Sequence, residues 1–260
     1  MKIDLSGKVA LITGSSCGIG FSVASGLLAA GANVIINGRS QERIAEAMSR
    51  LDDAKRVSGI VADVGTLSGC NTLTTSVSKV DILVNNAGFF RPRPLLEISD
   101  SEWLEMMEVN VMSGIRLTRY YLHSMMQRRW GRVIFVSSES ALQIPSEMVH
   151  YGVSKMTQLA VARGFAEIAI NTGVTVNSVL PGPTMSEGVE NFVQNLMGEA
   201  GTAEEAGLLF MKKYRPSSLL GRLTTTDEVA NFIVYLSSMQ SSAITGAALR
   251  VDGGVLRSVI

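Results

Sequence analysis

Tyr151 and Lys155 stand four residues apart in a stretch, 151–171, whose apolar spacing predicts a helix. Residues i and i+4 share a helix face with Cβ atoms roughly 5–6 Å apart, so a phenol and an ammonium can address one point. A free phenol titrates near pH 10, and bringing it to about 7 takes roughly 4 kcal/mol in favour of the phenolate. One exposed ion pair is too weak for that. A desolvated Lys155 ammonium, joined by a second positive charge, supplies it in a water-poor cleft. Tyr151 then acts as general acid in one direction and general base in the other. Ser138 closes a predicted strand 13 residues earlier, which returns the chain to the same end of a sheet. Its hydroxyl can donate to the same oxygen as negative charge develops there. Strand alternation turns the neighbouring Ser137 to the opposite face. Neither His123 nor His150 stands in a Gly-x-Ser-x-Gly setting, which argues against a serine hydrolase.

The second positive charge has a source. A predicted strand at 9–13 runs into Thr13-Gly14-Ser15-Ser16-Cys17-Gly18-Ile19-Gly20 and then a predicted helix near 19–30. Glycines in that context permit a tight turn and close approach of a pyrophosphate, with the helix N-terminus supplying free N–H groups. Dinucleotide binding through Gly14, Ser16, Gly18, Ile19 and Gly20 is therefore expected. Cys17, inside the turn, reads as a small filler. The next strand ends in Ile36-Asn37-Gly38-Arg39-Ser40, where such folds read the adenosine ribose. No carboxylate stands there to accept from a 2′-hydroxyl, whereas Arg39 can pair with a 2′-phosphate. NADP(H) is preferred on this ground; NAD(H) stays open if Arg39 is solvated or only covers the adenine.

Those residues need a scaffold that brings strand ends together. Short apolar runs at 9–13, 33–37, 56–61, 82–85, 133–137, 175–180 and 248–251 alternate with helical periods near 19–30, 41–50, 68–78, 100–128, 151–171 and 226–237. The alternation predicts a Rossmann-type doubly wound α/β fold: one domain over 1–260, a seven-stranded parallel sheet with helices on both faces. Residues near 185–220 break it, with one or two possible short helices and no strand; they read as a substrate lid, a tolerated surface insertion being the alternative. The stretch 9–38 lacks charge, but polar residues and glycines interrupt it too often for a membrane span. Lys plus Arg equals Asp plus Glu, 23 each, so no global field points to nucleic acid or a membrane surface. Two cysteines and two histidines without ligand spacing point to no metal site and to a reducing, cytoplasmic setting.

Together these residues resemble the short-chain dehydrogenase/reductase family, from Gly7 to Gly254. The resemblance rests on the turn at 13–20, Asp63-Val64, Asn85-Asn86-Ala87-Gly88, Asn110, Ser138, Tyr151-x-x-x-Lys155, Pro181-Gly182 and Val251-Asp252-Gly253-Gly254. It implies a hydride transfer between cofactor and a carbonyl or secondary alcohol of a small molecule, an oxoacyl thioester included. It also implies adenine held by Asp63 and Val64, a cofactor cleft lined by Asn86, Ala87 and Gly88, and nicotinamide contacts from Pro181, Gly182 and either Thr184 or Ser186. Tyr151 and Lys155 border the cofactor as well as the substrate, and Asn110 is implied to hold a water linking Lys155 to solvent. Assembly as a homo-oligomer, tetramer or dimer, is implied too. Only 18 positions separate Asp63 from Asp81, so the helix between them should be short. A non-catalytic cofactor sensor is the alternative of another class; enoyl-thioester reduction is disfavoured by the Tyr–Lys spacing of four.

Overall fold

The computed structural model describes residues 2–190, 193 and 202–259. The apolar runs form β1 (Val9–Ile12), β2 (Asn33–Gly38), β3 (Val57–Val61), β4 (Ile82–Asn85), β5 (Gly131–Val136) and β6 (Val174–Pro181). After them come β7 (Thr184–Met185), β8 (Thr224–Thr225) and β9 (Ala248–Val251). The sheet is parallel throughout, ordered β3-β2-β1-β4-β5-β6-β9. Winding reverses between β1 and β4, which opens a crevice at their carboxyl ends.

The helices are α1 (Gly18–Ala29), α2 (Gln41–Leu51), α3 (Leu67–Ser76), α4 (Asp100–Met107), α5 (Ser113–Gln127), α6 (Val149–Ile168), α7 (Ala203–Tyr214) and α8 (Thr226–Leu236). Successive strand side chains feed opposite layers, and both layers are dry. Ala10 and Ile12 join Val23 and Leu27 of α1, Ile44 of α2 and Ile233 of α8 on one face. Leu11, between them, joins Leu73 of α3, Tyr121 of α5 and Ala162 of α6 on the other. The near-continuous apolar strands follow from this double burial. Helix starts are set locally: Ser40 accepts from Arg43 N, and reciprocal capping boxes join Ser99 to Glu102, Thr202 to Glu205 and Thr225 to Glu228.

Two expectations change. The predicted helix over 100–128 is broken by a π turn, Glu108–Met112, where Ser113 N bonds back to Glu108 O. Asn110 sits inside that turn. The second is the segment after β6, which carries strand: Thr184–Met185 pairs in parallel with Thr224–Thr225, clamping both ends of the excursion that holds α7. Two residues are too short for a periodic signal. Residues 191–192 and 194–201 of the expected lid lie outside the described residues. As the short Asp63–Asp81 spacing implies, α3 has only 10 residues. No helix among the described residues is long and apolar enough to cross a membrane.

At the amino end of β5, Arg132 is buried and pairs with no carboxylate among the described residues. Its guanidinium donates to the carbonyls of Ser238 (3.1 Å), Gly131 (2.8 Å) and Gly173 (3.2 Å). Gly131 opens β5 itself, whereas Gly173 precedes β6 and Ser238 follows α8, so this one side chain ties the lower end of the strand to two loops.

The capping box of α8 gives a direct test of the local energetics. Thr225→Ala should lower unfolding free energy by about 1 kcal/mol in urea titration, with Thr225→Ser restoring most of it. No measurable difference between the alanine and serine variants would show that the box does not set this helix start.

Candidate active site

Side chains from β2, from the turn itself and from just past β4 shape the turn between β1 and α1. Asn37, on β2, accepts from Gly14 N at 3.4 Å and donates to the carbonyls of Ile60 and Ala62. Ser15 Oγ donates to Ile12 O at 2.7 Å and accepts from Asn37 N at 3.0 Å. From just past β4, Asn86 Nδ2 donates to Thr13 O and Gly14 O, and Thr13 Oγ1 accepts from the N–H groups of Asn86 and Ala87. Asn86 and Ala87 thus help build the turn as well as bordering it. Gly18 holds φ +58°, and a Cβ on Gly20 would stand 2.5 Å from Gly14 O. The first turn of α1 has no side-chain cap and no acidic residue, so its N–H groups and positive dipole end face the turn unchallenged. This cradle fits a pyrophosphate.

Around it lie the other expected cofactor contacts. Ser16 Oγ faces Gly38 across the turn, and Arg39 is exposed with no hydrogen-bond or ion-pair partner among the described residues. Asp63 accepts from Gly65 N at 3.0 Å, and Val64 is buried beside it. A side chain on Gly88 would crowd Asn110 Oδ1 and Lys155 Nζ, and one on Gly182 would strike the Asp252 carbonyl. Thr184 donates or accepts only within its own layer, with Gly182 O and Thr224 Oγ1 each at 2.9 Å. Thr184 and Ser186 both line the open cavity beside Ile19.

That cavity, about 200 Å³, lies at the carboxyl ends of β5 and β6 and is lined by Ser138, Tyr151, Glu139, Ser186, Phe210 and Arg215. Ser138 and Tyr151 share it as expected. Ser137 spends its hydroxyl on Lys155 O at 2.8 Å. His150 is buried edge-to-face against Trp103, ring centres 5.8 Å apart, away from the cavity lining.

Burial pushes Tyr151 well above its ordinary value and the Glu139 charge adds to it, while Ser138 and Arg215 pull the other way. Burial likewise brings the Lys155 amine down to about 7. Its Nζ donates to Val136 O at 2.9 Å and Gln158 Oε1 at 3.4 Å, and lies 5.6 Å from the Tyr151 ring centre. In a cleft this dry, the same desolvation that would strengthen an ion pair first disfavours both of its members.

Asn110 is tied into the structure through its side chain: its Oδ1 accepts from Phe89 N, and its Nδ2 donates to Phe89 O and Ser154 Oγ. The π turn directs the Asn110 carbonyl sideways, where Gln158 Nε2 donates to it at 2.5 Å. Because a carbonyl must be met by an N–H, the amide orientation is fixed and Oε1 faces Lys155. Gln158, Glu139 and Arg215 are the site residues that sequence reasoning missed. The position of Gln158, three residues after Lys155 on one helix face, was the available signal.

A family model for short chain dehydrogenase matches residues 8–196. The chain is 50% identical to the uncharacterized oxidoreductase YvaG of Bacillus subtilis (strain 168), across 100% of both chains. It is 33% identical to the 3-oxoacyl-[acyl-carrier-protein] reductase FabG of Aquifex aeolicus (strain VF5), across 98% of this chain and 100% of that one. L-sorbose reductase from Gluconobacter frateurii, solved with NADPH and L-sorbose, superposes with a TM-score of 0.92 at 30% identity, covering 100% of both chains.

The buried amine has a thermodynamic signature. Below pH 7 Lys155 is protonated folded and unfolded alike; between about 7 and its ordinary 10.5 only the unfolded chain keeps the proton, so its contribution to stability rises with pH across that window. The Tm of wild type relative to Lys155→Met, measured without cofactor, should therefore improve by several degrees from pH 7 to 9 and stay level below 7. A constant difference over the whole range would mean that the amine titrates normally.

Proposed function

Because the chain belongs to the short-chain dehydrogenase/reductase family of NAD(P)-dependent oxidoreductases, we propose that it moves a hydride between NADP(H) and a small ketone or secondary alcohol, with Tyr151 as acid and base. The observation that carries this reading is the meeting of Ser138 and Tyr151 in one cavity beside a dinucleotide cradle. The dinucleotide, when bound, supplies or accepts the hydride and in its oxidised form brings a positive charge to the site.

In reduction Ser138 and Tyr151 both donate to the carbonyl oxygen; Tyr151 gives up its proton, and Ser138 stabilises the charge that develops. In oxidation Tyr151 takes the proton back. Its raised starting value suits the donor role, and the positive charge of the oxidised ring helps the base role. Lys155 is held by Val136 O and, through Gln158, by the Asn110 carbonyl, so the π turn positions the amine next to Gly88 and the cofactor cleft. Ser186 makes the carboxamide contact, since the Thr184 hydroxyl is spent within its own layer. Arg39, unpaired at the end of β2, takes the 2′-phosphate.

Tyr151→Phe should reduce kcat at least 100-fold while leaving the dissociation constant of the cofactor within about threefold, read by fluorescence titration. A variant that still turns over refutes the assigned acid. Arg39→Ala should weaken NADPH about tenfold or more and NADH hardly at all, as expected for one charge-assisted pair. Equal losses for the two cofactors would remove Arg39 from the phosphate.

A further inference from the structure

Glu139 follows the catalytic serine and enters the same cavity. Its carboxylate is buried, with Oε1 accepting from Arg215 Nε at 3.0 Å and Oε2 from Ser138 Oγ at 2.5 Å. Arg215 arrives from just beyond α7, is itself buried, and also faces Glu147 Oε1 at 3.5 Å. One guanidinium thus serves two carboxylates. The serine oxygen meanwhile accepts from Ser140 N at 3.1 Å.

A serine hydroxyl has a single hydrogen, and here it belongs to Glu139. To donate to a substrate carbonyl, Ser138 must rotate that hydrogen away, leaving Oε2 buried without a donor. A carboxylate oxygen left without a donor beside a buried partner is costly. Arg215 Nε is held by the other carboxylate oxygen and its Nη1 by Tyr214 O, the Lys155 amine donates to Val136 O and Gln158, and the Tyr151 phenol goes to the carbonyl. A hydroxyl carried by the substrate next to the carbonyl is placed to supply the replacement donor.

We propose that Glu139 makes the site selective for uncharged ketones bearing a hydroxyl on the carbon beside the carbonyl. The substrate hydroxyl takes over Glu139 Oε2 and releases the Ser138 hydrogen to the carbonyl oxygen. This inference rests on the carbonyl-reductase reading and sharpens it. The carbonyl carbon gains the hydride of the reduced nicotinamide, the oxygen gains the Tyr151 proton as the C=O π bond breaks, and the products are a vicinal diol and oxidised cofactor. Glu139 exchanges no proton. An anionic substrate group is disfavoured because Glu139 and Glu147 already outnumber Arg215.

Three ketones of similar size test the idea: hydroxyacetone, butanone, in which a methyl replaces the hydroxyl, and methoxyacetone, which keeps the electron-withdrawing oxygen but has no hydrogen to donate. In wild type, kcat/KM for hydroxyacetone should exceed that for each of the others at least tenfold. Glu139→Gln keeps an oxygen for Arg215 and turns N–H toward Ser138, so the hydroxyacetone to methoxyacetone ratio should fall to within about threefold of unity. The wild-type series stands alone if that variant does not fold. Equal efficiencies for all three ketones in wild type, or an unchanged ratio in Glu139→Gln, overturn the role of Glu139 while leaving the reductase reading intact. Absence of turnover with these and with a broad carbonyl panel, under conditions where NADPH binds, removes the reductase reading and this inference with it.

Discussion

Lys155 carries an amine into a place where its charged form is disfavoured, and the elements around it are arranged to supply the few acceptors it has left. One is the carbonyl of Val136, the last residue of β5; the other is the amide oxygen of Gln158, from one turn further along α6. Gln158 can face the amine only because its nitrogen is engaged by the Asn110 carbonyl. That carbonyl is turned toward α6 by a π turn, a local change of register that often marks functional sites. Sheet, helix and π turn are thus linked through one nitrogen, and the Tyr151 phenol is fixed by the same helix.

Much of this architecture was legible in the chain. Strand pattern, helix periods and the glycine turn predicted the sheet, and β4 and β9 fall where the apolar runs end. The meeting of Ser138 with Tyr151 followed from a strand end and a short return. What stayed hidden shares one property: it depends on partners distant in sequence or on registers without residue signatures. Glu139 and Arg215 are 76 positions apart, and nothing local says that a glutamate after a serine meets an arginine beyond a later helix. The π turn contains no proline or glycine to announce it. The β7–β8 pair joins residues 40 positions apart through two-residue strands, below the length at which alternation can be read.

The excursion between β7 and β8 is tied to the rest at several points of different character. At its base lies a parallel strand pair with Thr184 and Thr224 hydroxyls in contact. Near its start Glu187 reaches Arg43 of α2 at 2.6 Å through exposed side chains, a pair that salt screens and that contributes little on its own. Arg215 closes the far side through a buried pair with Glu139. The buried contact, where charge removal strands a partner, has the greater leverage over the cavity. Contacts of the excursion with chemistry and with solvent are thereby separated along one stretch of chain.

Arg132 occupies the other end of the strand that delivers Ser138. It is a cation held by three peptide oxygens, with Met239 Sδ at 3.7 Å and the Trp130 ring beside it, and it ties the strand to two loops at the rim farthest from the cavity. Since the strand is extended between them, the two ends of β5 answer to different demands. The lower rim tolerates no opening without stranding that cation, whereas the upper rim must admit and release ligands. Evolutionary change in substrate preference can accumulate above while the floor below stays fixed, and engineering aimed at heat resistance has a natural address there, a full strand length from any reacting atom.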